Sequence, residues 1–143
     1  MKLQGFNNMS MQKITIGLLT LCSLNVMAAD VNNKKTAKHI DAQLKTCIAS
    51  APNAKPVVKI LECLAENTEL WNAEISARLE QRKAKQNDAQ NLVLEKAQTD
   101  WETYRDTQFR SFESDIAGDP TSQKIIDLSE DELTLIKKRA LEL

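Results

Sequence analysis

The feature that most constrains the fold is a stretch of 61 residues, 57–117, that contains neither glycine nor proline. Sandwiches and barrels need glycine-rich turns every ~8–12 residues, and nucleotide-binding loops need clusters of glycines. The whole chain of 143 residues has only three glycines, and two of them precede residue 30. The sequence therefore excludes these classes and predicts a single all-α domain.

Residues 1–28 have the pattern of a secretory signal peptide. Lys2 and Lys13 precede the 13-residue apolar run 14–26, and small residues follow at Ala28 and Ala29. The run is shorter than the ~20 residues that a membrane-spanning helix needs. We therefore expect cleavage after residue 28 and a mature domain over 29–143. This domain is expected to be periplasmic or secreted, without stable membrane insertion once the signal is removed.

Two other interpretations of the same segment remain open. Cys22 could accept a lipid, although Leu21 is bulky where a lipid-attachment site prefers a small residue. The apolar run could also be an N-terminal core helix. The small residues at its exit favour the signal peptide over both.

Cys47 and Cys63 are the two cysteines left after signal removal. An even count in a small exported domain favours a disulfide. The segment APNAKP between them holds two prolines that a helix does not continue through. We therefore expect a helix through 40–47, a turn, a second helix from about Val57, and a disulfide that staples this helical hairpin.

The polar segment 80–91 predicts a break in the glycine-free stretch, with Asn87 or Asp88 at the turn. Apolar side chains at helical spacing flank the break and are expected to pack together. They are Ile60, Leu64, Trp71, Ile75 and Leu79 before it, and Leu94, Ala97, Trp101, Tyr104, Phe112 and Ile116 after it. Gly118 and Pro120 should end the third helix.

The C-terminal segment contains a capping-box pattern, with Ser129 as the N-cap and Glu132 three residues later. It predicts that the last helix begins there and that a loop covers 119–127. The fold class is therefore all-α, a small bundle of about four helices with a disulfide-stapled N-terminal hairpin.

The sequence contains no pattern typical of catalysis, metal binding or cofactor binding. His39 is the only histidine, whereas common hydrolases need a base that titrates near neutral pH. A metal site built from His39, Cys47 and Cys63 would lack zinc-ligand spacing. We therefore expect no enzymatic activity, no metal and no cofactor.

Charge is distributed unevenly along the chain. Residues 34–87 carry ten basic and six acidic residues, whereas 88–132 carry four basic and twelve acidic residues, a net charge of −8. A nucleic-acid-binding domain would show a concentrated basic face. The acidic segment, with Glu102, Glu113 and Asp115 as candidate steering residues, suits a basic protein partner. The alternative is a solvated surface without a partner.

The string AQTDWETYRD, residues 97–106, is the most distinctive motif. Trp101, Tyr104 and Arg105 fall on one helix face at i, i+3 and i+4, so the guanidinium can stack on the indole. We expect Trp101 to fill a large core site, with Arg105 holding a neighbouring helix end. Asp106 is expected to pair with a neighbouring helix.

This A-Q-x-x-W-x-x-Y-R-D string resembles the signature of the LprI-like lysozyme inhibitors, small exported helical proteins of bacteria. The resemblance covers roughly 43–143. The cysteines at 47 and 63 resemble the first cysteine pair of the family, and 133–141 resembles its final helix. Phe109 and Ser129 stand where the family has its second pair. The resemblance implies an all-α fold and a non-enzymatic, protein-binding function.

Two hypotheses about function follow. The first is an exported inhibitor whose partner is a basic lysozyme, with Trp101, Tyr104, Arg105 and Asp106 as candidate interaction residues. The alternative is a structural or adaptor protein of the bacterial cell envelope without lysozyme activity. If the acidic segment were only a solvated surface, recognition would fall to the predicted loop 119–127.

Overall fold

The computed structural model describes the backbone of residues 22–51, 56–118 and 120–143, and side chains from residue 34 onward within those ranges. The chain divides into two compact units, Met1–Lys35 and Thr36–Leu143. The contacts that build the hydrophobic core lie in the second unit.

All regular structure in the described residues is helical, which confirms the predicted fold class. The four helices are α1 (Cys22–Ala49), α2 (Pro56–Lys83), α3 (Asp88–Gly118) and α4 (Ser122–Glu142). Proline opens α2 at a position where its missing N–H costs no helical hydrogen bond. None of these helices combines the length and hydrophobicity needed to cross a membrane.

The break between α2 and α3 lies where the sequence predicts it. Asn87 Oδ1 accepts from the backbone N–H of Gln90 at 3.0 Å, and Gln90 Oε1 accepts from the backbone N–H of Asn87 at 3.1 Å. This reciprocal pair satisfies two donors that a helix start leaves open. It fixes the first residue of α3 without help from a glycine or a proline.

The core is centred on α2 and α4, which have the most extensive helix–helix contact. Its buried cluster consists of Ile40, Leu64, Trp71, Ile75, Leu133, Ile136 and Ala140. Trp71 is the largest of them and has no exposed surface. The predicted packing of the α2 stripe against the α3 stripe is therefore wrong: α2 packs on α4, and the main contact of α3 is also with α4. Of the predicted α3 stripe only Leu94 is buried, and Ala97 and Tyr104 are exposed.

The described part of α1 is attached to the bundle by three kinds of bond. The predicted disulfide between Cys47 and Cys63 is confirmed, with Cα atoms 5.7 Å apart. The side-chain amide of Asn67 donates to the backbone carbonyl of Ile40 at 2.9 Å, within the core. Lys137 Nζ lies 2.7 and 2.9 Å from the two carboxylate oxygens of Asp41.

The predicted start of α4 is wrong. The helix begins at Ser122, where Thr121 is the N-cap and its hydroxyl accepts from the backbone N–H of Lys124 at 3.3 Å. Ser129 lies inside the helix, and its hydroxyl donates to the carbonyl of Ile125 at 2.9 Å. Extending the helix upstream buries Leu128, and this burial outweighs the local capping preference of Ser129.

The predicted loop 119–127 is therefore wrong as well, because residues 122–127 are helical. The end of α3 at Gly118 is as predicted. Most of the predicted signal peptide, residues 1–28, lies outside the described residues, and its cleavage stays a prediction.

Candidate functional site

Gln98, in the second position of the AQTDWETYRD string, connects α3 to α4. The Nε and Nη2 atoms of Arg139 both donate to Gln98 Oε1, at 3.1 and 2.9 Å. Gln98 Nε2 in turn donates to Glu102 Oε1 at 2.9 Å. The two Gln98–Arg139 bonds join residues 41 positions apart, so this glutamine anchors the motif to the last helix.

Trp101 lies between two guanidinium groups. The Cζ atoms of Arg105 and Arg139 are 5.3 and 5.6 Å from the ring centroid, within cation–π range. The indole is half-buried at the edge of the core, so the expectation that Trp101 fills a large core site is wrong. Trp71 fills the large core site instead, and it lies on α2, the helix that packs on α4.

The side chain of Arg139 is partly shielded from water. Burial is the largest cause that lowers the pKa of Arg139, and the positive charge of Arg82 lowers it further, while Glu142 and Glu102 raise it. A guanidinium nevertheless stays protonated at neutral pH. Arg139 is therefore a permanent cation whose hydrogen bonds go to a neutral amide oxygen.

Arg105 and Asp106 form an ion pair within α3. Arg105 Nε and Nη2 lie 2.8 and 2.7 Å from Asp106 Oδ1. The expectations that Arg105 holds a neighbouring helix end and that Asp106 pairs with another helix are therefore wrong. The Arg105–Asp106 pair and the contact of Arg105 with Trp101 stay within α3, because this part of the helix packs sparsely. Tyr104, on the same helix, is 52% exposed.

The candidate steering residues differ in their surroundings. Glu102 is half-buried and accepts from Gln98, whereas Glu113 and Asp115 are exposed. In the described part of the chain, several acidic side chains of α3 and α4 have no ion-pair partner. We call this set the acidic surface, and it consists of Glu113, Asp115, Glu130, Asp131 and Glu132. It extends around both helices, because residues two positions apart on a helix, such as Glu113 and Asp115, lie on nearly opposite faces.

Glu113 of α3 and Glu132 of α4 lie close enough to interact electrostatically. Burial, as the largest cause, and the negative charge of Glu113 together raise the pKa of Glu132. A carboxyl whose pKa is raised by folding destabilises the folded state as it ionises. Folding therefore disfavours the negative charge of Glu132.

We predict that Glu132→Gln raises the melting temperature at pH 7. The glutamine removes the charge that folding disfavours while keeping the side-chain shape. The gain should shrink as the pH falls below the folded pKa and disappear near pH ~3, where the wild-type carboxyl is protonated in both states. Thermal unfolding followed by circular dichroism tests this, with Glu130→Gln, its exposed neighbour, as the control. A Glu132→Gln protein less stable than wild type at pH 7 would contradict the prediction.

No group of metal-ligating side chains occurs among the described residues. His39 is exposed, and the two described cysteine sulfurs are bonded to each other. Trp101, Arg105, Gln98 and Arg139 form a group that we call the Trp101 cluster. Sequence reasoning missed two of its members, Gln98 and Arg139. Gln98 lies within the AQTDWETYRD string, so the motif indicated it. No local pattern links Arg139 to that string.

Comparison with known protein families identifies the chain. The sequence model of the family described as lysozyme inhibitor LprI matches residues 47–143. This chain belongs to the LprI family. No curated protein and no solved structure matches it significantly. The LprI match begins at the first disulfide cysteine and includes the whole Trp101 cluster and the acidic surface. The family description is that of an inhibitor, so the partner it implies is a protein.

Proposed function

We propose that this protein is an exported, non-enzymatic inhibitor of lysozyme that acts in the periplasm or after secretion. Membership of the LprI family over 47–143 carries this proposal. The acidic surface supports it, because lysozymes of the animal type are strongly basic. The ionic state of both partners at neutral pH therefore favours their encounter.

The acidic surface suits fast association better than tight binding. Exposed charges at the rim of an interface act mainly on the association rate, and ion pairs between exposed side chains contribute only about 0–1 kcal/mol each. An inhibitor also needs side chains that are buried by its partner. Interfaces concentrate their affinity in a few residues, with tyrosine, tryptophan and arginine enriched among them.

Tyr104 is our candidate for such an anchor, on the same helix as Glu113 and Asp115. Its side chain is 52% exposed on α3, and the contacts of Gln98 and Trp101 with Arg139 hold this part of the helix to α4. We assign Tyr104 the central contact with lysozyme, with Arg105 and Asp106 beside it. Glu113 and Asp115 then lie towards the C-terminal end of the same helix.

Charge reversal at Glu113 and Asp115 tests the steering role. We expect the double variant Glu113→Lys/Asp115→Lys to slow association with a basic lysozyme about tenfold or more at low ionic strength. Dissociation should change little, because both side chains are exposed. Rising salt should slow wild-type association as the Debye length falls from ~30 Å at 0.01 M to ~8 Å at 0.15 M. Stopped-flow kinetics measures both rates.

The matched control reverses two exposed acids of α2, Glu62 and Glu80. This variant has the same net charge, so a difference between the two double variants reports where the charge lies. Equal slowing by both would show that only net charge matters. An association rate that changes neither with salt nor with charge reversal would show that the acidic surface has no steering role.

A further inference from the structure

A groove opens where the turn between α2 and α3 meets the end of α4. It has a volume of about 580 Å³, within the range of about 300–1,000 Å³ that is typical of small-molecule sites. Its lining includes Arg82, Gln86, Val93, Leu94, Ala97 and Arg139. It is separate from the acidic surface, which none of these residues belongs to.

The floor of the groove is apolar and continues onto the outside of α3. Leu94 is buried, whereas Val93 is 70% exposed and its neighbour Leu92 is 68% exposed. Leu92 and Val93 are the two most exposed large hydrophobic side chains of the described residues. Burying such surface against a ligand's apolar atoms is favourable in proportion to the area removed from water.

The wall of the groove is cationic. Arg82 and Arg139 both line it, and no aspartate or glutamate does. Leu143 also lines the groove, but its terminal carboxylate forms no ion pair with either arginine in the described part of the chain. Within the described part of the chain Arg82 has no ion pair, and Arg139 donates its hydrogen bonds to the neutral Gln98. Glu102 and Glu142 attract Arg139 electrostatically but lie beyond ion-pair distance. The two guanidinium groups thus lack the carboxylate partner that their planar, forked geometry suits.

We propose that this groove binds a single-chain amphiphilic carboxylate, a medium-chain fatty acid. The alkyl chain lies along Val93, Leu94 and Ala97, and the carboxylate accepts hydrogen bonds from Arg82 and Arg139. An apolar floor beside two cations without a carboxylate partner is complementary to this ligand chemistry. A neutral alkyl compound forms no ion pair with the two arginines, and an alkyl cation is repelled by them.

Isothermal titration calorimetry of the full chain with three probes that share a ten-carbon chain tests this site. Decanoate should bind at least about tenfold more tightly than decanol, and decyltrimethylammonium should not bind. Octanoate should bind about fifteenfold more weakly than decanoate, because each buried methylene contributes about fourfold in affinity. All probes are used below their micelle concentrations.

Arg82→Gln is the decisive variant, because Arg82 is exposed at the end of α2 and its replacement leaves the core intact. We expect it to weaken decanoate binding about tenfold or more without changing decanol binding. Val93→Asp should abolish binding of both. Arg110→Gln, which removes an exposed arginine of α3 outside the groove, is the matched control and should leave the affinity unchanged.

Several outcomes would overturn the assignment. Equal affinity for decanol and decanoate would show that the arginines take no part, and an unaffected Arg82→Gln protein would show the same. If no probe binds, and sedimentation instead shows a dimer that Val93→Asp dissociates, the groove is covered by a second copy of the chain. Absence of binding without a dimer also rejects the site.

Discussion

Replacing Trp71 with alanine is expected to lower the free energy of unfolding by about 3–5 kcal/mol, the usual cost of emptying a large aromatic core site. Trp71 has no exposed surface, and it lies in the cluster where α2 packs on α4. Lys137 Nζ also lies 5.5 Å from its ring centroid. A loss of this size is a large part of the total stability of a small domain.

The matched variant is Trp101→Ala, which removes the same side chain from a half-buried position. We expect it to cost about 1–2 kcal/mol, from partial burial and two cation–π contacts. Urea denaturation followed by far-ultraviolet circular dichroism compares the two without relying on tryptophan fluorescence. If Trp101→Ala lowers the stability as much as Trp71→Ala or more, the result would contradict the placement of the core.

Removal of the Cys47–Cys63 disulfide is expected to have the second large effect. The two cysteines are 16 positions apart, and closing a loop of this size stabilises a fold by roughly 3 kcal/mol in the chain-entropy model. The disulfide ties the end of α1 to α2 close to the buried hydrogen bond from Asn67 to Ile40. Its loss therefore loosens α1 as well as the turn between the helices.

The double variant Cys47→Ser/Cys63→Ser should unfold at lower urea concentration than wild type, and reducing agent should then have no further effect. The double variant also serves as the control for the reducing agent, because it has no Cys47–Cys63 disulfide to reduce. Wild-type protein that is equally stable with and without reducing agent would contradict a structural role for this disulfide.

Local sequence patterns were sufficient to predict the all-α fold class, the Cys47–Cys63 disulfide and the break before α3. The polar segment 80–91 and the capping pair Asn87 and Gln90 are neighbours in sequence, so their interaction needs no tertiary information. The start of α4 was mispredicted because Thr121 and Ser129 are both good N-cap residues. Burial of Leu128 decides between them, and that burial depends on tertiary packing.

The candidate site was predictable only in part, for the same reason. Trp71 and Trp101 have equivalent positions in apolar stripes, and only the packing of α4 on α2 determines which is buried. The motif drew attention to Trp101 and Tyr104. Their support from Gln98 and Arg139 is a contact between distant parts of the chain, which periodicity along one helix does not reveal.

A titration of lysozyme turnover shows whether this LprI family member inhibits lysozyme. Purified protein is added to a basic animal-type lysozyme that is degrading cell-wall peptidoglycan, and the rate of clearing is recorded. We expect inhibition at micromolar protein that saturates at one inhibitor per enzyme. Tyr104→Ala, folded as wild type by circular dichroism, should require about tenfold or more protein. Full lysozyme activity at micromolar protein, across several lysozyme types, would contradict the account.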